Sequence, residues 1–163
     1  MRRKDREIKD LDDIGQILEQ CTVCHLGMCC DGMPYVVPMN YGFSLGKQGL
    51  TLYFHCAGEG KKLEILRENP QVCFTIDRPL GLMPAEIACR FSMAFESVIG
   101  SGTVRFLNGT EEKVEALRAI MRHYSGREWD TFDPDAVKSV ALFAVDAEEF
   151  TAKRRPLPQD AAL

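Results

Sequence analysis

Hydrophobic and polar side chains alternate along the segment from Leu50 to Cys56, with apolar residues at the even positions and more polar ones at the odd positions. A period of two is typical of a strand that buries one face, so we predict a half-buried strand over this segment. Gly58 and Gly60 follow it and end the pattern. The odd positions, which end at His55, form the more polar face of the predicted strand.

A short helix is predicted over residues 61–67, directly after the two glycines. Leu63 and Leu66 have helical spacing, and Asn69-Pro70 ends the pattern. The N-terminus of a helix has unpaired N–H groups and a partial positive charge, so it favours an anion. Lys61 and Lys62 add two full positive charges at that end. We interpret this stretch as a phosphate-binding site. The alternative that remains open is a pair of solvated surface lysines.

The remaining pattern predicts three further helices and five further strands. Arg78 to Ala88 contains Pro79, Gly81 and Pro84, so we expect a loop there. Asp31-Gly32 between two apolar runs predicts a hairpin, and Gly100 to Gly102 predicts a bulge or bend within a long strand. Helices are expected over 10–19, 111–123 and 134–139, and strands over 22–30, 34–43, 71–77, 91–107 and 140–150.

About six strands in mostly consecutive antiparallel order, with few helices, predict a mainly β fold. The arrangement that fits best is a small β-barrel with helices packed outside it. We expect a single domain over residues 1–163. Its ends, residues 1–9 and 156–163, are expected to be loose or packed on a partner subunit, and the tail from Lys153 onward is expected to lack regular structure.

The composition narrows the classes of partner and the compartment. Hydrophobic residues make up 45% of the 163 residues and the formal net charge is −4, so there is no basic surface that indicates nucleic-acid binding. No apolar run approaches the ~20 residues of a membrane-spanning helix, and the charged N-terminus lacks the apolar region of a secretion signal. A cytoplasmic protein without membrane contact is therefore expected.

Seven cysteines are many for this length, and an odd number without a secretion signal argues against a disulfide framework. Cys21 and Cys24 precede His25 in the C-x-x-C-H spacing of covalent haem attachment. Haem attached in this way belongs to exported proteins, and a strand would turn Cys24 and His25 to opposite faces. We therefore expect structural thiols, and we predict no metal site, since no second ligand pair has suitable spacing.

Five stretches in this order resemble a known family: RRKDREI near the start, PYVVPMNYGF, LYFHCAGEGKKLEIL followed by ENPQVCF, SVIGSGTV, and KRRP near the end. The chain resembles the pyridoxamine 5′-phosphate oxidase-like split-barrel flavoproteins, and within them the nitroimidazole-resistance (Nim-type) branch. The resemblance covers about residues 2–156. It implies a split β-barrel that binds FMN and works as a homodimer with the flavins at the subunit interface.

The resemblance also implies which residues contact the flavin. Lys61 and Lys62 match the segment that holds the FMN phosphate, where the oxidase itself has an arginine beside its lysine. His55 matches a histidine of the active-site cleft, so it is the predicted catalytic residue. The implied cofactor-binding residues are Val37, Met39, Asn40, His55, Cys56, Ala57, Lys61, Lys62, Ser97 and Val98.

Two functions remain open at this point. The first is an FMN-dependent oxidoreductase that reduces nitroaromatic, 5-nitroimidazole-like or other electron-poor small molecules. The second is a flavin- or haem-binding module for storage, sensing or scavenging, without turnover. A flavin carries out the redox chemistry itself, so the first function needs no catalytic triad. No G-x-G-x-x-G nucleotide fingerprint is present, and the electron donor stays open.

Overall fold

The structure is a computed structural model that describes residues 3–158. Its elements alternate between strands and a few helices, with two short 3₁₀ turns at Lys4–Arg6 and Ala88–Arg90. The helices are α1 (Leu11–Gln20), α2 (Lys61–Glu68), α3 (Thr110–Ser125) and α4 (Pro134–Ser139). The strands are β1 (Glu7–Ile8), β2 (Cys24–Cys30), β3 (Met33–Met39), β4 (Gly42–Gly46), β5 (Gly49–Cys56), β6 (Gln71–Met83), β7 (Ser92–Phe106) and β8 (Ala141–Arg155).

All eight strands belong to one antiparallel sheet with the order β3-β2-β6-β7-β8-β5-β4, and β1 adds to β8. The two edge strands, β3 and β4, are consecutive in the chain and are joined only by Asn40 and Tyr41. The sheet is not closed by hydrogen bonds between these edges. The prediction of a mainly β, antiparallel split barrel with flanking helices is confirmed, with eight strands where we expected about six.

The main core lies on one face of the sheet and is completed by α1 and α2. The even positions of β5 point into it: Leu52 and Phe54 are fully buried, and Phe54 stacks on Phe143 of β8 with ring centroids 5.2 Å apart. A second, smaller cluster lies under α3, where Ala116 and Ile120 pack on β8. The alternation that predicted a half-buried strand is thus confirmed.

The prediction of a loop from Arg78 to Ala88 is wrong for residues 78–83, because β6 continues to Met83 and pairs with β7. It is confirmed for residues 84–87, which form no helix or strand. The register between the two strands shifts between Pro79 and Gly81. A proline has no N–H to donate to a neighbouring strand. Because the register is irregular at Pro79, the strand can continue past the proline without leaving a regular inter-strand hydrogen bond unmade. The residues that normally end a strand therefore mark a bulge within a longer one.

The strand expected over 34–43 is divided, because β3 ends at Met39 and β4 begins at Gly42. The bulge expected near Gly102 is confirmed by a register shift between Ser101 and Gly102. The hairpin at Asp31-Gly32 is also confirmed by the pairing of Cys30 with Met33.

The two ends of the domain are more ordered than expected. Lys153 to Arg155 belong to β8, where Lys153 pairs with Ser97 and with Glu7 of β1. The expectation of a loose segment is therefore wrong for residues 7–8 and 153–155. Charge pairing explains the order of the C-terminal part, because Arg154 contacts the buried Glu96 at 2.5 Å. The expected loose residues 1–2 and 159–163 lie outside the described residues.

Candidate functional site

The N-terminus of α2 has the features expected of an anion-binding site. Gly60 precedes the helix with φ 128° and ψ 164°, a conformation that side chains strongly disfavour, and no side chain caps the helix. The N–H groups of Leu63 and Glu64 both bond to the carbonyl of Gly60. The first N–H groups of a helix have no intrahelical partner. In α2, no side chain accepts hydrogen bonds from these groups in place of that partner. This end can therefore accept an anion from solvent.

Lys61 and Lys62 carry uncompensated charge at this helix end. Lysine ion pairs in residues 3–158 involve Lys9 and Lys138, whereas Lys61 and Lys62 form none. The Lys61 ammonium lies 4.7 Å from the centroid of the Tyr35 ring. Lys61 and Tyr35 line a cleft of about 430 Å³ between α2 and the β2–β3 hairpin, whose lining also includes Asp31, Glu64 and Glu68. Tyr35 was not predicted as a site residue, because its contact with Lys61 joins segments that are distant in sequence.

Cys56 lies beside the second lysine at the end of β5. It is half-buried, and burial raises the pKa of its thiol, while the positive charges of Lys62 and Arg67 act in the opposite direction. Arg67 is a cation that sequence analysis missed, and its guanidinium lies 5.9 Å from the Phe106 ring centroid. The end of β5 therefore has a positive electrostatic environment that favours an anionic ligand.

His55 lies on the outer face of β5 and is exposed to solvent. It is opposite Leu142 of β8 in the register. In the described part of the chain, Nδ1 of His25 lies 3.9 Å from Asp77 and Nδ1 of His123 contacts the Tyr41 carbonyl, whereas neither ring nitrogen of His55 has a polar partner. Its imidazole is thus free to donate or accept a hydrogen bond to a ligand.

Asn40 lies near the same end of β5. Gly42 of β4 pairs with Tyr53 of β5 in an antiparallel register. Asn40 is two residues before Gly42 and His55 is two residues after Tyr53, so both lie beyond the same end of this pairing. The Asn40 amide donates hydrogen bonds to the carbonyl of Thr22, at 3.4 Å, and to the hydroxyl of Tyr124. Tyr124 was not predicted, because it lies 84 residues further along the chain. Ala57 is exposed in the loop between His55 and the helix that begins at Lys61.

The other predicted cofactor-binding residues lie elsewhere in the sheet. Met39 of β3 and Val98 of β7 lie in one row of paired residues that crosses β3, β2, β6 and β7. Both side chains are buried in the core. Val37 is partly buried against the same core. Ser97 is on the opposite face from Val98 and is 8% exposed. The side chains of Met39 and Val98 are therefore occupied by core packing, and only their backbone is available to a ligand.

The predicted residues divide into two groups within one chain. His55 is opposite Leu142 and Ser97 is opposite Lys153, so they are eleven residues apart along β8. At ~3.3 Å per residue, that is about 36 Å of length along β8. Across the sheet the separation is shorter, because Met39, the chain neighbour of Asn40, lies in one row with Val98 only three strands away. The first group is therefore Asn40, His55, Cys56, Ala57, Lys61 and Lys62, and the second contains Ser97 and Val98.

The C-x-x-C-H segment does not form a haem attachment site. Cys21 and Cys24 are buried free thiols, 2% and 0% exposed, and His25 lies on the exposed face. Burial raises the pKa of the Cys21 thiol to about 11 and that of Cys24 to about 12. Inaccessible thiols with such high pKa values do not react readily, so these cysteines pack the core.

Comparisons with known proteins define the class to which this fold and site belong. The family model described as pyridoxamine 5′-phosphate oxidase matches residues 10–154. This chain is a member of that family, the pyridoxamine 5′-phosphate oxidase-like proteins. A search of curated proteins gave no significant match. Within residues 3–158, no helix is both long and apolar enough to span a membrane.

Among solved structures, the chain is similar to a candidate 5-nitroimidazole antibiotic resistance protein of Bacteroides thetaiotaomicron VPI-5482. The identity is 37%, the match covers 90% of this chain and 85% of that one, and the TM-score is 0.74. The flavocytochrome Anf3 of Azotobacter vinelandii is 22% identical, with coverage of 97% and 73% and a TM-score of 0.77. An FAD- and haem-binding protein of Mycobacterium smegmatis is 16% identical, with coverage of 96% and 77% and a TM-score of 0.78. The last two likenesses show the fold alone.

Proposed function

We propose that this protein is an FMN-dependent oxidoreductase that reduces nitroaromatic, 5-nitroimidazole-like or other electron-poor small molecules. The observation that carries the proposal is the uncapped N-terminus of α2, with its two unpaired lysines, directly after the strand that presents His55. The solved structure at 37% identity, a candidate nitroimidazole resistance protein, supports the substrate class. Two structural neighbours that share the fold are a flavocytochrome and an FAD- and haem-binding protein, so the fold is compatible with a flavin.

The residues present fit the anionic end of FMN. Lys61, Lys62 and the free N–H groups of α2 supply the charge and the donors that a phosphate requires. Gly60 keeps the backbone before the helix free of side-chain bulk, and a Cβ there would have no heavy atom within 4 Å. When bound, the flavin supplies the electron-transfer chemistry, and the protein supplies position, electrostatics and exclusion of water.

His55 is the proton donor in this proposal. Reduction of a nitro group to a nitroso group consumes two electrons and two protons and releases one water molecule. The electrons come from a two-electron donor such as a reduced nicotinamide nucleotide, through the flavin. His55 is exposed and has no polar partner in the described residues, so its imidazole can donate a proton or a hydrogen bond to the substrate oxygen.

A homodimer would complete the site. The family resemblance implies a homodimer with the flavin at the subunit interface, and in such a dimer Ser97 and Val98 would act from the second copy. The free thiols of the described residues suit the reducing cytoplasm, which is the compartment we propose.

The experiment that tests the function has two stages. Protein purified under native conditions is examined for flavin absorbance, and the released flavin is identified by mass spectrometry. Metronidazole and NADH or NADPH are then added without oxygen, and loss of the nitro absorbance is followed. Bound FMN with flavin-dependent loss of the nitro group supports the proposal. Bound flavin without turnover of any electron-poor acceptor, or bound haem without flavin, favours the binding module instead, and a protein that takes up neither flavin nor haem contradicts both.

A further inference from the structure

The junction between the two edge strands is held from both sides by other elements. Tyr41 is fully buried, and its single O–H proton is shared between the carbonyl oxygens of Leu18 and Cys21, at 2.7 Å and 2.9 Å. On the other side, Nδ1 of His123 in α3 lies 2.7 Å from the Tyr41 carbonyl oxygen. Because a carbonyl only accepts, Nδ1 carries the proton and donates in this contact.

The end of α3 lies directly against this junction. A Cβ on Gly42 would come within 2.3 Å of the Ile120 backbone nitrogen, so only glycine allows this approach. Four residues beyond Ile120, the Tyr124 hydroxyl donates to the Thr22 carbonyl and accepts from the Asn40 amide. The contact with Asn40 is thus part of a rigid packing arrangement.

The hydrogen bonds of Asn40 determine which of its atoms faces outward. Its amide nitrogen is the donor to Thr22 and Tyr124, because the Thr22 carbonyl oxygen accepts only. Both N–H groups are then occupied, and Oδ1 is the remaining free atom of an exposed side chain. An amide held in this orientation presents a hydrogen-bond acceptor and would select a ligand N–H.

We propose that Tyr124 is a positioning residue, which fixes the Asn40 amide with Oδ1 outward so that it accepts a hydrogen bond from an N–H of the isoalloxazine ring. This inference rests on the proposed flavin function. It assigns a role to α3, which contributes none of the cofactor-binding residues that the family resemblance implies. Without the Tyr124 hydroxyl, Asn40 loses one of its two acceptors and its amide is free to turn.

A double-mutant cycle tests this role, with Tyr124→Phe, Asn40→Ala and the double variant. FMN dissociation constants are measured by flavin fluorescence, and the wild-type titration comes first because it tests the proposed function separately. We expect Tyr124→Phe to raise the dissociation constant about fivefold in the wild-type background and less than about twofold in the Asn40→Ala background. A purely structural residue would act equally in both backgrounds.

Tyr53→Phe is the matched control, because Tyr53 also packs against α3 and its hydroxyl has no hydrogen-bond partner in the described residues. A readout in the ligand-free protein is the pair of side-chain amide protons of Asn40 in ¹⁵N NMR spectra, which we expect to shift in Tyr124→Phe and to stay in place in Tyr53→Phe. An unchanged dissociation constant in Tyr124→Phe, or equal changes in both backgrounds, overturns the inference while flavin binding stands. A wild-type protein that does not bind FMN overturns the proposed function and the inference with it.

Discussion

At the scale of single residues, His55 and the lysines at the start of α2 have separable roles. His55 is exposed on β5 and has no polar partner in residues 3–158, so nothing in the fold depends on its imidazole. The lysines are at the end of a helix with no cap, where charge affects binding of an anion. Changes at His55 should therefore alter turnover, and changes at the lysines should alter affinity for the cofactor.

Replacing His55 by alanine should leave FMN bound and lower the rate of nitro reduction by about 10²-fold, the lower end of what a positioned proton donor contributes. His55→Gln keeps a hydrogen-bond donor that cannot deliver a proton, so it should recover only a small part of the rate. The measurement is anaerobic steady-state turnover with flavin content determined for each variant. If His55→Ala retains the full rate at equal flavin content, the histidine is not the proton donor.

Local pattern was enough to find this part of the site. The alternation of β5, the glycines after it and the paired lysines are all within 13 residues, so the chain order alone brings them together. The contacts of Lys61 with Tyr35 and of Asn40 with Tyr124 depend on how distant segments pack. No periodicity in one sequence reports such contacts, and these partners were missed for that reason.

At the scale of elements, a buried charge network joins α1 to the centre of the sheet. Glu96 of β7 has a side chain that is only 5% exposed, and its two oxygens contact Arg78 of β6 at 2.9 Å and Arg154 of β8 at 2.5 Å. Arg154 also reaches Asp13 of α1 at 3.1 Å. A buried carboxylate between two guanidinium groups is costly to leave incomplete.

Replacing Glu96 by glutamine should therefore lower the free energy of unfolding by about 2 kcal/mol, since the partly exposed Arg78 and Arg154 lose charge-assisted hydrogen bonds to a buried carboxylate. Urea denaturation followed by circular dichroism measures this. Glu128→Gln is the control, because its ion pair with Arg122 is more than half exposed on both sides and should change stability by less than about 1 kcal/mol. Equal losses in the two variants would show that the network does not stabilise the fold.

The same network explains why sequence analysis placed the end of β8 too early. Lys153 to Arg155 are three consecutive basic residues, which look like a solvated tail, but their buried partner Glu96 is 58 residues away from Arg154. The extension of β6 was missed for a related reason, because Pro79 and Gly81 normally end a strand and here they lie at a bulge. Helices with clear apolar stripes, such as α1 and α3, were predicted to within a few residues.

At the scale of the whole molecule, the outer face of the sheet exposes apolar side chains. Val36 is 60% exposed and Ile99 is 46% exposed. Both side chains are on the same face of the sheet. Val36 pairs with Gly27, Gly27 with Cys73, and Cys73 with Ser101, so Val36 and Ser101 are on one face. Ile99 is two residues from Ser101 in the same strand and therefore shares that face. The proposed homodimer would bury such a face.

Replacing Val36 and Ile99 together by lysine should convert the proposed dimer into monomers and should also weaken FMN binding, because the site would lose the second copy's residues. Light scattering should give about twice the 18.3 kDa chain mass for the wild type and the chain mass for the variant. Leu11→Lys serves as the control, since Leu11 is a comparably exposed apolar residue on α1. A wild-type monomer that binds FMN fully would contradict an interfacial site.

The central claim is that the start of α2 holds the phosphate of a flavin, and its most direct test compares FMN with riboflavin, which lacks the phosphate. Dissociation constants are measured for the wild type, for Lys61→Ala/Lys62→Ala, and for a control with two other surface lysines replaced, Lys47→Ala/Lys138→Ala. We predict that the wild type and the control bind FMN at least about 100-fold more tightly than riboflavin, as expected when the phosphate contributes about 3 kcal/mol to the binding free energy. The variant that lacks both Lys61 and Lys62 should lose most of this preference for FMN. An equal preference for FMN in all three proteins, or none in the wild type, would contradict the account.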